Sequence, residues 1–232
     1  MPDLRSDFNL PALVRPEDFG WIKSPGGEVE RMMLDRLGDE IAVATSLVRY
    51  APASRFPPHE HARGEEYLVL EGEFADERGR YPPGTYVRNP PGTRHTPFSD
   101  PGCVIWVKLR QFDSGDDRQL VIRTPAAVPE AGIERSELHR HRGEVVAIVA
   151  AAADAVVELH RSEHVQEVLV LDGLIQWRDQ RIGRWGWLRL PVGEGGQISA
   201  IEPCRLLHKT RPAFALADKD IMPTTSSASG GK

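Results

Sequence analysis

The chain repeats itself, and that is the strongest constraint on how it folds. Displacing the sequence by 101 positions lays EYLVLEG at 66–72 onto EVLVLDG at 167–173. The same register carries His59 onto His160, Tyr86 onto Trp187, Arg88 onto Arg189, Pro90 onto Pro191, Gly92 onto Gly193, Cys103 onto Cys204, Lys108 onto Lys209 and Arg110 onto Arg211. The register holds without a gap from His160 to Arg211, which implies two copies of one fold. A length of 232 residues suits two domains of ordinary size. The expected division is 1–124, 125–222 and a tail, 223–232, with the boundary in the segment from Thr124 to Glu144 where Pro125, Pro129 and Gly132 interrupt the pattern. The tail is small and polar, has nothing to bury, and is expected to be disordered.

Within each copy the apolar runs are short and end at turn formers. YLVLEG closes at Gly72, and Ile41, Val43 and Thr45 alternate with Ala42, Ala44 and Ser46. Such runs predict strands, and no stretch of the first half has the length and period of a helix. The opening segment, with its closely spaced Pro and Gly, predicts only short strand or turn pieces, with Trp21 and Ile22 holding it against the body. The fold class is therefore all-β, with antiparallel strands in a barrel or sandwich.

The chemistry is concentrated between Phe56 and His95. Side chains two apart on a strand share a face, so His59 and His61 point the same way. Glu65 follows four residues later, after a segment containing Gly64 that can turn the chain back. The PPG sequence at Pro90 to Gly92 tightens the chain just before His95. If Glu65 faces inward, Tyr67 and Val69 share its face and Glu66 takes the other. Three imidazoles and a carboxylate make a donor set suited to zinc, iron, manganese, nickel or cobalt, with geometry and supply choosing among them. No residue is assigned a catalytic acid or base role.

These residues resemble the two motifs of the cupin superfamily. His59, His61, Glu65 and Gly72 fit the first, with Ser54 in place of its leading glycine; Gly84, Pro90, Gly92 and His95 fit the second, with Ser99 in place of its asparagine. TSLVRYAP, FPPHEH, EEYLVLEGEF and YPPGTYVRNPPGTRH are similar to the ChrR-type branch, named for the zinc-binding cupin-like domain of an anti-sigma factor. The resemblance implies two jelly-roll cupin barrels in tandem, a metal held by His59, His61, Glu65 and His95, and zinc ahead of iron, manganese or nickel. It also implies a regulatory or ligand-sensing role, as in a transcriptional stress response. The alternative is an Fe(II)- or Mn(II)-dependent dioxygenase cleaving a small diketone or hydroxy-ketone. The helical sigma-binding domain of that family uses one His and two Cys. This chain has no cysteine before Cys103, and its opening residues lack a helical pattern, so sigma-factor binding is not expected.

In the second copy Ser162 replaces His61, Gln166 replaces Glu65 and Gly196 replaces His95, which leaves His160 alone among weak donors and predicts a half that is structural or holds an organic ligand without metal. The HxH pair in HRHRGE, His139 and His141, lacks a glutamate at the motif's spacing and a PxG-H partner and is read as solvated linker. Cys103 and Cys204 are expected to be reduced, buried thiols. A net charge of -5 without a Lys/Arg block disfavours nucleic acid as a direct partner. No run approaches the ~18 to 20 apolar residues of a membrane helix. The expected setting is therefore the cytoplasm, with a small molecule in the barrel and homodimerisation as the partner interactions.

Overall fold

The computed structural model of the chain describes residues 3–24, 29–38, 42–113 and 115–212. The tail expected to be disordered lies outside them. Among the described residues every regular element is a strand except one 3-10 turn, Pro16–Asp18, and no helix is long and apolar enough to cross a membrane.

Each half is built around the same five strands in the same order. In the first half these are Thr85–Asn89, Glu65–Gly72, Cys103–Leu109, Val43–Tyr50 and Val29–Leu37; in the second they are Trp187–Leu190, His164–Asp172, Cys204–Pro212, Glu144–Ala151 and Ile133–His141. All pairings are antiparallel, and even the irregularities repeat. The register slips between Val104 and Ile105 in the first half and between Val170 and Asp172 in the second, which are matching places in one ladder. Gly72 and Gly173 close the equivalent strands with positive φ, and a Cβ at either would stand 2.0 or 2.3 Å from a backbone carbonyl oxygen. Only glycine fits there.

A smaller sheet covers one face of each large sheet: Ser54–Arg55, Phe98–Ser99, Phe74–Asp76 and Gly79–Tyr81 in the first half, and Val156–Leu159, Gly196–Ala200, Ile175–Trp177 and Gln180–Ile182 in the second. Sequence reading left barrel and sandwich open, and the cupin resemblance implied barrels. The sheets do not close, so each half is a two-sheet jelly-roll sandwich. Alternation along Glu65–Gly72 divides its side chains as the period of two requires. Tyr67 and Val69 enter the core inside the first sandwich, whereas Leu68 joins a second core shared by both halves. That shared core also holds Tyr86 and Trp106 from the first half and Leu169, Trp187 and Leu207 from the second. The two large sheets thus lie face to face.

The edges are covered by exchange. In the first half the free edge of Thr85–Asn89 is paired by Leu120–Arg123. In the second half the equivalent edge, Trp187–Leu190, is paired by Ala12–Val14 from the opposite end of the chain. Pairing or covering an edge strand removes a template for aggregation. The expected division at residue 124 assigns Ala12–Val14 to the first half, yet its hydrogen bonds lie in the second half's sheet. Trp21 packs against the shared core as expected, but Ile22 is exposed. The segment read as solvated linker contains the strand Ile133–His141, and His139 in it is buried, with its Nε2 3.0 Å from Asp116 Oδ2. The histidine spacing was read without its surroundings: an apolar partner strand and a buried carboxylate draw the ring inward.

Between the large sheets lies a buried set of charges. Lys209 Nζ donates to Glu66 at 2.5 Å, and Lys108 Nζ donates to Glu167 at 2.6 Å. Because Glu66 is equivalent to Glu167 and Lys108 to Lys209, the two pairs are one contact made twice, each joining the halves. Arg88 adds bonds to Glu66 and to Glu144, at 2.8 and 2.9 Å. Removing one member of a buried pair strands its partner's charge, at a cost of about 3 to 5 kcal/mol. Lys209→Ala is therefore expected to lower unfolding free energy in urea by about 3 kcal/mol, whereas Arg140→Ala, which breaks the exposed Arg140–Glu137 pair, changes it by less than about 1 kcal/mol.

Candidate metal centre

The first sandwich brings His59, His61, Glu65 and His95 together at one end, their donor atoms all within 4.8 Å of one another. His59–Glu60 pairs with Arg94–His95, which sets His59 directly opposite His95. His61 is held by the PPG turn: its carbonyl accepts from Gly92 N–H at 3.0 Å, and its N–H donates to Thr93 O at 2.9 Å. Gly64, at φ 79, then returns the chain so that Glu65 opens the next strand. A Cβ on Gly64 would meet the Phe112 ring at 2.3 Å.

The ring orientations follow from what the far nitrogens touch. His59 Nδ1 lies 3.1 Å from Pro57 O, His61 Nδ1 3.0 Å from Thr93 Oγ1, and His95 Nδ1 3.3 Å from Asp76 Oδ2. Thr93 already donates its hydroxyl hydrogen to Pro90 O at 2.7 Å, so toward His61 it accepts. Asp76 in turn accepts from Tyr81 Oη at 2.9 Å and from the backbone N–H groups of Arg78 and Gly79. With three acceptors facing Nδ1, the neutral rings carry their proton there, and all three Nε2 lone pairs turn toward one point. His95 Nε2 is 3.2 Å from Nε2 of both His59 and His61. Glu65 Oε2 lies 3.3 Å from His61 Nε2 and 3.6 Å from His95 Nε2, and this buried oxygen has no hydrogen-bond partner.

Converging lone pairs and an unpartnered buried carboxylate oxygen are what a cation satisfies, so the donor set fits a divalent metal. The electrostatics agree. Burial holds His61 down at about 3, with His95 and His59 adding to the effect, so its ring is neutral at physiological pH. Burial pushes the Glu65 carboxyl up, and His95 and His59 oppose that. Asp76, Thr93 and Pro57 escaped the sequence reading because they hold ligands rather than supply donors.

A cavity of about 240 Å³ opens onto the cluster, lined by His59, His61 and Glu65 together with Arg31, Tyr50, Phe56, Leu109 and Arg110. Among the described residues the second half has no such arrangement. His160 is exposed, and Gln166 donates its amide to the carbonyls of His160 and Glu194 at 2.9 and 3.2 Å. Asp116, His139 and Glu144 form another buried group of potential donors, but Arg88 donates to both of its carboxylates, so the guanidinium is their counter-ion. Cys103 and Cys204 are free and buried, and burial raises both thiols to about 11.

The architecture and the donor cluster define a cupin fold. Residues 9–113 match the family model of the ChrR cupin-like domain. Solved structures agree on the fold. A dioxygenase, so named provisionally, from Nostoc punctiforme superposes with TM-score 0.66 at 13% identity over 92% of this chain and 83% of its own. The bacterial pirin YhhW from Escherichia coli in complex with nickel(II) gives 0.68 at 17% identity over 88% and 99%. An oxalate decarboxylase from Bacillus subtilis gives 0.60 at 13% identity over 87% and 77%. No curated protein sequence matches the chain at a significant level.

Acid should destabilise the fold through its buried imidazoles. His208 is held down to about 4 by burial and by Arg135, while an unfolded histidine binds its proton near 6.5. Between those values the unfolded chain takes a proton that the folded chain refuses, so stability is complete above about 6.5 and declines as pH falls toward 4. His208→Gln, which keeps an acceptor for Arg135, is expected to reduce the slope of unfolding free energy against pH by up to one proton between pH 4 and 6.5.

Proposed function

We propose that the first half binds one divalent metal ion through His59, His61, Glu65 and His95 and presents it to a small molecule entering from the cavity, as a metal-dependent oxygenase does. The observation that carries this reading is the placement of the cavity, which His59, His61 and Glu65 all line, so that an ion held among them would have positions open on the cavity side. A bound ion would there polarise and orient the oxygens of a diketone or hydroxy-ketone, the substrate class for a carbon-carbon bond cleavage by dioxygen. The chain's own part is to hold the donors in one tautomer and to wall the cavity with Tyr50, Phe56 and Leu109.

The family match favours a second reading. As a ChrR-like cupin the same four residues would close around zinc and the protein would act by binding, as a regulatory or ligand-sensing module of a stress response. Iron, manganese or nickel in a six-coordinate site supports the oxygenase; zinc with four protein donors and no exchangeable water supports the sensor. X-ray absorption of protein purified without added metal separates the two, and oxygen uptake with a diketone checks the first.

Two results test the centre itself. Elemental analysis is expected to give one metal per chain, and His95→Ala to remove most of it; full occupancy in that variant overturns the ligand assignment. Asp76→Asn, which weakens the acceptor behind His95, is expected to lower metal affinity by roughly 10- to 100-fold with the fold intact by circular dichroism.

A further inference from the structure

Two arginines in the cavity wall stand out by what they do not touch. Arg31 lies on the strand Val29–Leu37 and Arg110 just beyond Cys103–Leu109, and both line the cavity that opens onto the three-histidine cluster. Neither guanidinium has a hydrogen bond or ion pair among the described residues. The other acidic group in the wall, Glu60, is engaged by Arg94 at 2.6 and 2.9 Å. Glu65 is turned toward the imidazoles.

The second half shows what the fold does with these arginines when no donor cluster is present. Arg31 lies opposite Val48 in its ladder, and Arg135 opposite Val149, the residue equivalent to Val48; Arg135 and Arg31 therefore occupy the same place. Arg110 corresponds to Arg211. In the second half both have internal partners: Arg135 donates to His208 Nδ1 at 2.9 Å, and Arg211 meets Glu167 at 3.3 Å and bonds Gln111. In the half with the donor cluster the corresponding residues line the cavity, Arg31 exposed and Arg110 half-buried, and among the described residues their guanidiniums have no such partner. A divalent ion held by three neutral imidazoles and one carboxylate leaves a net positive charge on the floor, so floor and wall would carry the same sign. Tyr50, also in the wall, keeps its phenolic proton because burial pushes its pKa up, and it adds a neutral hydrogen-bond donor.

We propose that the molecule taken by this cavity is a small oxyanion, a carboxylate or a phosphate ester, whose charged end is held by Arg31 and Arg110 while its other end reaches the metal-binding cluster. The planar fork of a guanidinium matches both groups with paired hydrogen bonds. The volume, about 240 Å³, restricts the ligand to a few carbon atoms. Phe56 and Leu109 supply apolar wall for its carbon skeleton. The inference rests on the metal-centre reading and narrows its substrate class from diketones at large to those bearing an anionic group.

Titration calorimetry of the full chain, as purified and after chelation, with malonate, inorganic phosphate and neutral acetylacetone as probes, tests it, with metal content measured on each sample. Malonate or phosphate is expected to bind the metal-loaded wild type. Arg31→Gln and Arg110→Gln should each weaken that binding at least tenfold while leaving metal content, melting temperature and acetylacetone binding unchanged. Tighter malonate assigns a carboxylate ligand, and tighter phosphate a phosphate ester. Absence of binding by both anions, or equal affinities in wild type and arginine variants, overturns the proposal even if one metal per chain is found. Arginine-dependent anion binding by a wild type that holds no metal overturns the metal-centre reading and leaves the anion site standing.

Discussion

Glu66 and Lys209 meet where water does not reach, and Lys108 and Glu167 repeat the contact on the other side of the approximate symmetry between the halves. Each half contributes one acid and one base, and each has its partner in the other half. Separated, either half would have a carboxylate and an ammonium in the middle of an apolar sheet face, beside Leu68 and Trp106 in one case and Leu169 and Leu207 in the other. Desolvating such groups costs several kcal/mol apiece, so the pairs add little net stability over an apolar contact. What they do is select one way of docking two similar sheets. Any sliding of one sheet on the other by a residue breaks both pairs together and leaves Lys108 buried without its carboxylate.

This arrangement explains why the two faces of each large sheet have diverged so differently. On the face between the halves, the acid, the lysine and the bulky apolar residues match from one copy to the other, because a change in one copy is felt in both. On the inner face of each sandwich no such coupling exists. There one copy has His61, Glu65 and His95, and the other has Ser162, Gln166 and Gly196, with the Gln166 amide turned to cap backbone carbonyls.

Much of this was legible in the residues. Period-two alternation around Glu65 separates Tyr67 from Glu66, because a strand offers only two faces. The spacings from His59 to His95 likewise predicted the four residues that converge. The reading failed where a side chain's fate depends on a distant partner. Nothing beside His139 announces Asp116, and the arm around Ala12 has no local sign that its hydrogen bonds lie with Trp187–Leu190. Local pattern shows which face a residue takes, but it does not show what waits there.

The arm also bears on the order in which the molecule can be completed. Ala12–Val14 is synthesised early and its partner strand, Trp187–Leu190, some 170 residues later. At the ribosome, where chains emerge at roughly 5 to 20 residues per second, the arm waits on the order of ten seconds or more for its place in a sheet. During that interval the first sandwich can form its own ladders, but its charged face stays open to solvent and its opening strand unpaired. Completion of this sheet is therefore a late event, since Ala12–Val14 gains its ladder only once Trp187–Leu190 has emerged.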